Sequence, residues 1–234
     1  MELLRDIISC FGKYLIYLAI CLATLLPARH IFRIPQELWR KLLHFVAYTS
    51  SLCMMYVSRD WVVSAVCCII FGAAVYPILV FLERFEGYGH FFNQRHGGEV
   101  KKSLLLLFFS HAALIALCWG LWDKPYIAAT SIVAWGSGDT MAALIGKPYG
   151  RHKIHLPGAD PKKSWEGTGA MALTAFVCGF AALSVTSPLG PAKRLLCAVL
   201  LAPVAAAAEL YSHDGNDTFT VSFAVAFLLG ILTM

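Results

Sequence analysis

The chain has 234 residues, 59% of them hydrophobic and only 14% charged, with a mean hydropathy of +0.67. Charged residues usually make up about a quarter of a soluble domain, so this composition excludes an ordinary soluble enzyme. The formal net charge of +5 resembles that of a nucleic-acid binder, but the cations lie between apolar runs. No nucleic acid is expected as a partner; anionic headgroups or phosphates suit the charge better.

Apolar runs of about 20 residues are what a helix needs to cross a bilayer core. In chain order they fall at 7–26, 42–58, 61–82, 103–122, 125–146, 168–187, 195–210 and 217–234. The expected fold is all-α: a polytopic integral membrane protein of about eight transmembrane helices, forming one catalytic domain over 1–234. Lys13 interrupts the first run, and no small-residue cleavage site precedes Arg29, so this run is read as a retained helix and not a signal peptide. The eight cysteines lie within or beside apolar runs, without the paired spacing of a zinc site. They read as small apolar helix residues.

Thirteen of the nineteen Lys and Arg residues fall in three connections. Residues 27–43 hold Arg29, Arg33, Arg40 and Lys41; residues 83–102 hold Arg84, Arg95, Lys101 and Lys102; residues 147–164 hold Lys147, Arg151, Lys153, Lys162 and Lys163. Alternation across eight spans puts all three on one side, which the positive-inside rule makes cytoplasmic. Lys193 and Arg194 are the exceptions, on the opposite side.

Asp139, Glu209 and Asp217 lie inside apolar runs or at their ends. A carboxylate costs at least a few kcal/mol at the bilayer centre, which makes each a candidate functional group. Asp139 precedes Lys147 by eight residues, hence about 12 Å of helix. Mg²⁺ is commonly held by carboxylates, phosphate oxygens and water, a role these three acids could share. Ala134, Gly138, Ala142 and Gly146 recur every four residues and give a face that another helix can approach closely. Gly136 and Gly138 are expected to leave room for a ligand beside Asp139.

The stretch KPYGRHKIHLPGADPKKSWEGT follows. Pro148, Gly150, Pro157, Gly158 and Pro161 exclude a continuous helix, so a loop is expected, with Ser164 capping the helix after it. A helix N-terminus suits phosphate, and with Lys162 and Lys163 just before it the loop reads as a polyphosphate clamp. Glu166 is either a metal ligand or a favourable charge in the first turn. The alternative for the loop is electrostatic attachment to anionic lipid. In ELWRKLLHF, Glu37, Lys41 and His44 fall at i, i+4 and i+7 and share a helical face, with Arg40 alongside. That face could hold a phosphate or orient a hydroxyl, or anchor the helix at the interface. RHGGEVKK, with Glu99, is a weaker candidate of the same type.

Together these residues resemble the membrane-embedded CTP-using superfamily of phosphatidate cytidylyltransferases and CTP-dependent lipid kinases acting on dolichol, phytol or diacylglycerol. Asp139 with AALIGKPYGRHK and then PKKSWEGT looks like its central signature, and RKLLH over 40–44 like the mark of the kinase branch. The resemblance runs over 37–222, with 1–36 an N-terminal helix and basic loop. AAELYSHDGNDTFTVSF is similar to the kinases' C-terminal segment, with Glu209 and Asp217 matching. Thr218 stands where Asn is usual and Ser222 where Pro is usual. The longer C-terminal run of the cytidylyltransferases is absent.

The resemblance implies a kinase that passes the γ-phosphoryl of CTP to a polyprenol, phytol or diacylglycerol hydroxyl with Mg²⁺; the alternative it leaves open is a phosphatidate cytidylyltransferase. The implied catalytic residues are Asp139, His44, Lys163 and Glu209. Metal ligation falls to Asp139, Glu209, Asp217 and Glu166, and nucleotide binding to Arg40, Lys41, Lys153, Lys162, Lys163, Ser164, Gly150 and Gly167. The partners are CTP and a membrane lipid alcohol entering sideways between helices, with a homodimer as one assembly open to the protein. A transporter would explain buried carboxylates too, but the sequence shows no internal repeat.

Overall fold

The computed structural model describes residues 1–92, 97–213 and 215–234. Two positions discussed above, Arg95 and His96, lie outside them, as does Asp214. Among the described residues, eight long helices and one short one follow in chain order: α1 Glu2–Ile31, α2 Gln36–Ser58, α3 Trp61–Leu82, the short α4 Tyr88–Phe92, α5 Glu99–Ile115, α6 Pro125–Tyr149, α7 Trp165–Thr186, α8 Pro191–Leu210 and α9 Asp217–Thr233. Among the described residues the fold is all-α, and its only β-type pairing is an isolated bridge between Lys153 and Ser164.

Each long helix lies over one of the eight apolar runs, but several begin earlier. Helix α2 starts at Gln36, α5 at Glu99, α7 at Trp165 and α8 at Pro191. Hydropathy marks where a helix is greasy, whereas hydrogen bonding continues through the flanking charged turns. The fourth apolar run is α-helical only to Ile115; Ala116–Leu121 winds as a π-helix, the wider turn that usually appears in short insertions.

Among the described residues, four stretches are long and apolar enough to cross a membrane: Glu2–Ile31, Trp61–Leu82, Glu99–Leu121 and Trp165–Thr186. The distribution of side chains agrees. Leu121, Leu173, Val185 and Ile231 are each more than 60% exposed, while Lys41, Ser51, Ser64, His111, Thr130 and Ser222 are buried. Apolar groups outside and polar groups inside is the arrangement a lipid solvent favours. The protein is an all-α integral membrane protein.

The chain divides into two compact units, Met1–Ala116 and Leu117–Met234. In the first, α1, α2, α3 and α5 pack on one another. Tyr14, Phe71 and Phe108 form an edge-to-face chain with centroids 4.7 Å apart at each step, and the Tyr17 and Thr49 hydroxyls meet at 2.6 Å. The eight cysteines are free thiols and none is exposed; Cys68 lies 3.4 Å from the Met54 sulfur. Cys10, Cys67, Cys68, Cys118 and Cys197 are buried as small core residues, and Cys21, Cys53 and Cys178 are half-buried.

In the second unit α6, α7, α8 and α9 form the packed set. Lipid tails are as apolar as Leu, so membrane helices associate mainly through close packing. The small-residue face of α6 is used this way. A Cβ on Gly146 would lie 3.2 Å from the Gly167 Cα, and one on Gly167 would lie 3.1 Å from the Ala142 carbonyl oxygen. Gly138 departs from expectation: a Cβ there would fall 2.4 Å from the Met171 sulfur. The space beside Gly138 is filled by a core side chain and is not open to a ligand.

Candidate functional site

The loop after α6 is ordered by hydrogen bonds within the segment and to its neighbours. The sixth helix runs through Lys147 and Pro148 to Tyr149, one turn further than the prolines suggested, because Pro148 sits in the last turn. The Gly150 N–H then donates to the Gly146 carbonyl at 3.2 Å. A Cβ at Gly150 would lie 2.1 Å from that same oxygen and 2.4 Å from Ser164 Oγ, so only glycine fits. Gly150 and Gly167, expected as nucleotide contacts, spend their missing side chains on this close packing.

The loop closes on itself. Ile154 N–H donates to the Lys163 carbonyl at 3.2 Å and Trp165 N–H to the His152 carbonyl at 3.0 Å. Ile154 is 2% exposed and plugs the loop from beneath. Asp160 organises the return: its carboxylate accepts from Lys162 N–H at 2.9 Å, its carbonyl accepts from Lys163 N–H at 3.0 Å, and its own N–H donates to the Leu210 carbonyl at 3.2 Å. The last contact fastens the loop to the end of α8. Gly158, at φ +77°, lies against the Tyr211 ring.

Ser164 caps α7 as expected, its hydroxyl accepting from Gly167 N–H at 3.2 Å. Glu166 lies in the first turn of α7. Its carboxylate accepts from the N–H groups of Arg151 and His152, each at 3.2 Å, and meets His152 Nδ1 at 2.6 Å. These contacts hold the loop against the start of α7. Lys153 and Lys162 are exposed on the loop's outer face, with Lys153 Nζ donating to the Lys162 carbonyl at 3.2 Å.

Lys163 points the other way. Its ammonium pairs directly with the carboxylate of Glu209 at the end of α8, a residue only 2% exposed. Burial works against the charged ammonium, yet Glu209, reinforced by Asp217 and Asp139, holds the Lys163 pKa above the ordinary lysine value. The carboxylate ending α8 is in direct contact with this cation, and those of α6 and α9 act on it electrostatically. Asp139 lies ten residues before the end of α6, about 15 Å along its axis.

No three His, Cys, Asp or Glu side chains among the described residues form a metal cage by themselves. The donor set still suits Mg²⁺, which takes one or two hard carboxylate ligands and completes its shell with water and substrate phosphate. Asp139, Asp217 and Glu209 carry carboxylates of that kind, the last of them paired with Lys163.

The remaining expected residues belong to the first unit. Arg40 donates twice to Glu37, at 3.0 Å from Nε and 2.6 Å from the terminal nitrogen. Lys41 is 3% exposed, and the His44 ring stands edge-on to Tyr48 at 5.8 Å. The sequence reading passed over His111, which is fully buried in α5 with Nδ1 2.8 Å from Ser51 Oγ. A lone histidine in an apolar run was the available signal. Asp160 was also missed, although an Asp two residues before a turning backbone is a familiar Asx pattern.

Comparison with known proteins decides the family. The model of the cytidylyltransferase family matches residues 3–232, nearly the whole chain. The chain belongs to the cytidylyltransferase family. The match begins well before residue 37, so α1 is included in the family's pattern. Within this family frame, a phytol kinase of Synechocystis sp. is 36% identical over 104 residues, which make up 44% of this chain and 43% of that protein's length. No solved structure matches.

Proposed function

We propose that this member of the cytidylyltransferase family is a lipid-alcohol kinase, transferring the γ-phosphoryl group of CTP to the hydroxyl of a membrane lipid with Mg²⁺. One observation carries the reading: Lys163, at the foot of a cation-rich loop, sits among Asp139, Glu209 and Asp217. Phosphoryl transfer asks the protein mainly to position groups and neutralise charge, and this arrangement has the parts for both. The likeness to a phytol kinase supports the alcohol acceptor.

In this mechanism Lys153, Lys162 and Lys163 hold the phosphates, and the α7 N-terminus adds its partial positive charge. Asp139 and Asp217, with Glu209, would hold Mg²⁺, which when bound neutralises the phosphate oxygens. The lipid oxygen forms a bond to the γ-phosphorus as the bond to the β-phosphate bridging oxygen breaks, and CDP leaves. The hydroxyl proton passes to His44 or to one of the carboxylates. Arg40, Lys41 and His44 enter through the family resemblance alone. The rest of the reading is eight spans in one catalytic domain with the loop on the cytoplasmic face, and polyprenol, phytol and diacylglycerol as candidate acceptors.

The family's description favours a second reading, in which phosphatidate attacks the α-phosphorus and pyrophosphate leaves. The deciding experiment gives purified protein CTP labelled at the γ- or α-phosphorus, with Mg²⁺ and polyprenol, phytol, diacylglycerol or phosphatidate. Label reaching lipid from the γ position establishes the kinase and names its acceptor. Label from the α position with phosphatidate establishes the cytidylyltransferase instead.

A further inference from the structure

Lys163 stands where the reading above needs a metal's charge. Its ammonium contacts Glu209 directly, and Asp139 and Asp217 lie close enough to act on it. Glu209 is 2% exposed, and a carboxylate so buried requires a partner charge. The Lys163 backbone is pinned on both sides, its N–H to the Asp160 carbonyl and its carbonyl to the Ile154 N–H. Any movement of the charge is therefore a swing of the flexible side chain, whose four-carbon stem allows it.

We propose that Lys163 is the resident counter-ion of this site, so that a divalent cation binds tightly only together with a nucleotide whose phosphates draw the ammonium off Glu209. Metal alone must enter beside an ammonium already satisfying the acid. Nucleotide alone brings further negative charge to three carboxylates. Arriving together, the metal replaces Lys163 at Glu209 and the phosphates accept the released ammonium, so every charge keeps a partner. Metal and nucleotide are then positively coupled, and the coupling is reciprocal. This inference rests on the metal and nucleotide reading of the site.

The test is protein-retained Mn²⁺, measured on the full-length protein in detergent with and without a CTP analogue whose β,γ-link cannot be cleaved. In the wild type the analogue should tighten Mn²⁺ binding about ten-fold or more. Lys163→Met should bind Mn²⁺ alone about ten-fold more tightly than the wild type, while Lys163→Arg, which keeps the charge, should not. Lys163→Gln serves if the methionine variant does not insert. Equal Mn²⁺ affinity in the wild type and the uncharged variant, with the analogue still tightening wild-type binding, overturns the counter-ion role and leaves the metal reading standing. Failure of the wild type to retain Mn²⁺ even with the analogue sinks both.

Discussion

Gly146 of α6 and Gly167 of α7 meet backbone to backbone, and a Cβ on either would lie 3.1–3.2 Å from the other's Cα. The contact lies one turn from the Ser164 cap, so it sets the distance between the helix carrying Asp139 and the helix that the basic loop enters. Gly146→Leu should force these helices apart and cost about 1–3 kcal/mol, the usual range for overpacking. Thermal unfolding in detergent measures it, and a melting temperature equal to the wild type's would show that the approach is not needed.

Asp139→Asn keeps the shape of the side chain and removes its charge. Turnover should fall at least about a hundred-fold, the scale on which a lost electrostatic contact to a transition state is felt, while insertion and melting temperature hold. Near-wild-type turnover would remove Asp139 from the metal set.

Lys163→Ala should raise KM for the nucleotide about ten-fold, in line with the loss of a charge-assisted hydrogen bond. If the lysine holds ground and transition states alike, kcat changes little. An unchanged KM would assign this lysine a structural role only.

Glu166→Gln separates a loop fastener from a metal ligand. The variant should weaken the contacts to Arg151 and His152 and make the loop easier to cut by protease, with the Mg²⁺ concentration for half-maximal activity unchanged. A shift of that concentration with normal protease resistance would place Glu166 in the metal set.

The side of the membrane is open to direct measurement. Lys162 is exposed, so Lys162→Cys, in a background without the native cysteines, should react with an impermeant thiol reagent added from the cytoplasmic side. Reaction from the other side alone would reverse the topology.

Much of this architecture was legible without coordinates, and the parts that were not share a cause. Hydropathy located the eight long helices because an apolar run of that length has few other fates in water or lipid. It misplaced their ends because charged turns remain helical past the greasy stretch, as at Gln36 and Glu99. Ser164 was readable as a cap because capping is local. The Lys163–Glu209 pair spans 46 positions and no local rule connects them. Gly138 was misread for the same reason: a sequence shows that a side chain is missing, but not that Met171 fills the gap.

The docking of the loop on α8 has a consequence for the time at which the protein becomes competent. Lys163 leaves the ribosome 46 residues before Glu209, and the Leu210 carbonyl that receives Asp160 comes one residue later still. At about 5–20 residues per second the loop waits some seconds without either anchor. A nascent chain that has made α6 and α7 therefore carries a loop whose partners in α8 have not yet been synthesised. Only the arrival of α8 ends that interval, so a stop codon placed before it should leave a fragment whose loop lacks both the Asp160–Leu210 and the Lys163–Glu209 contacts.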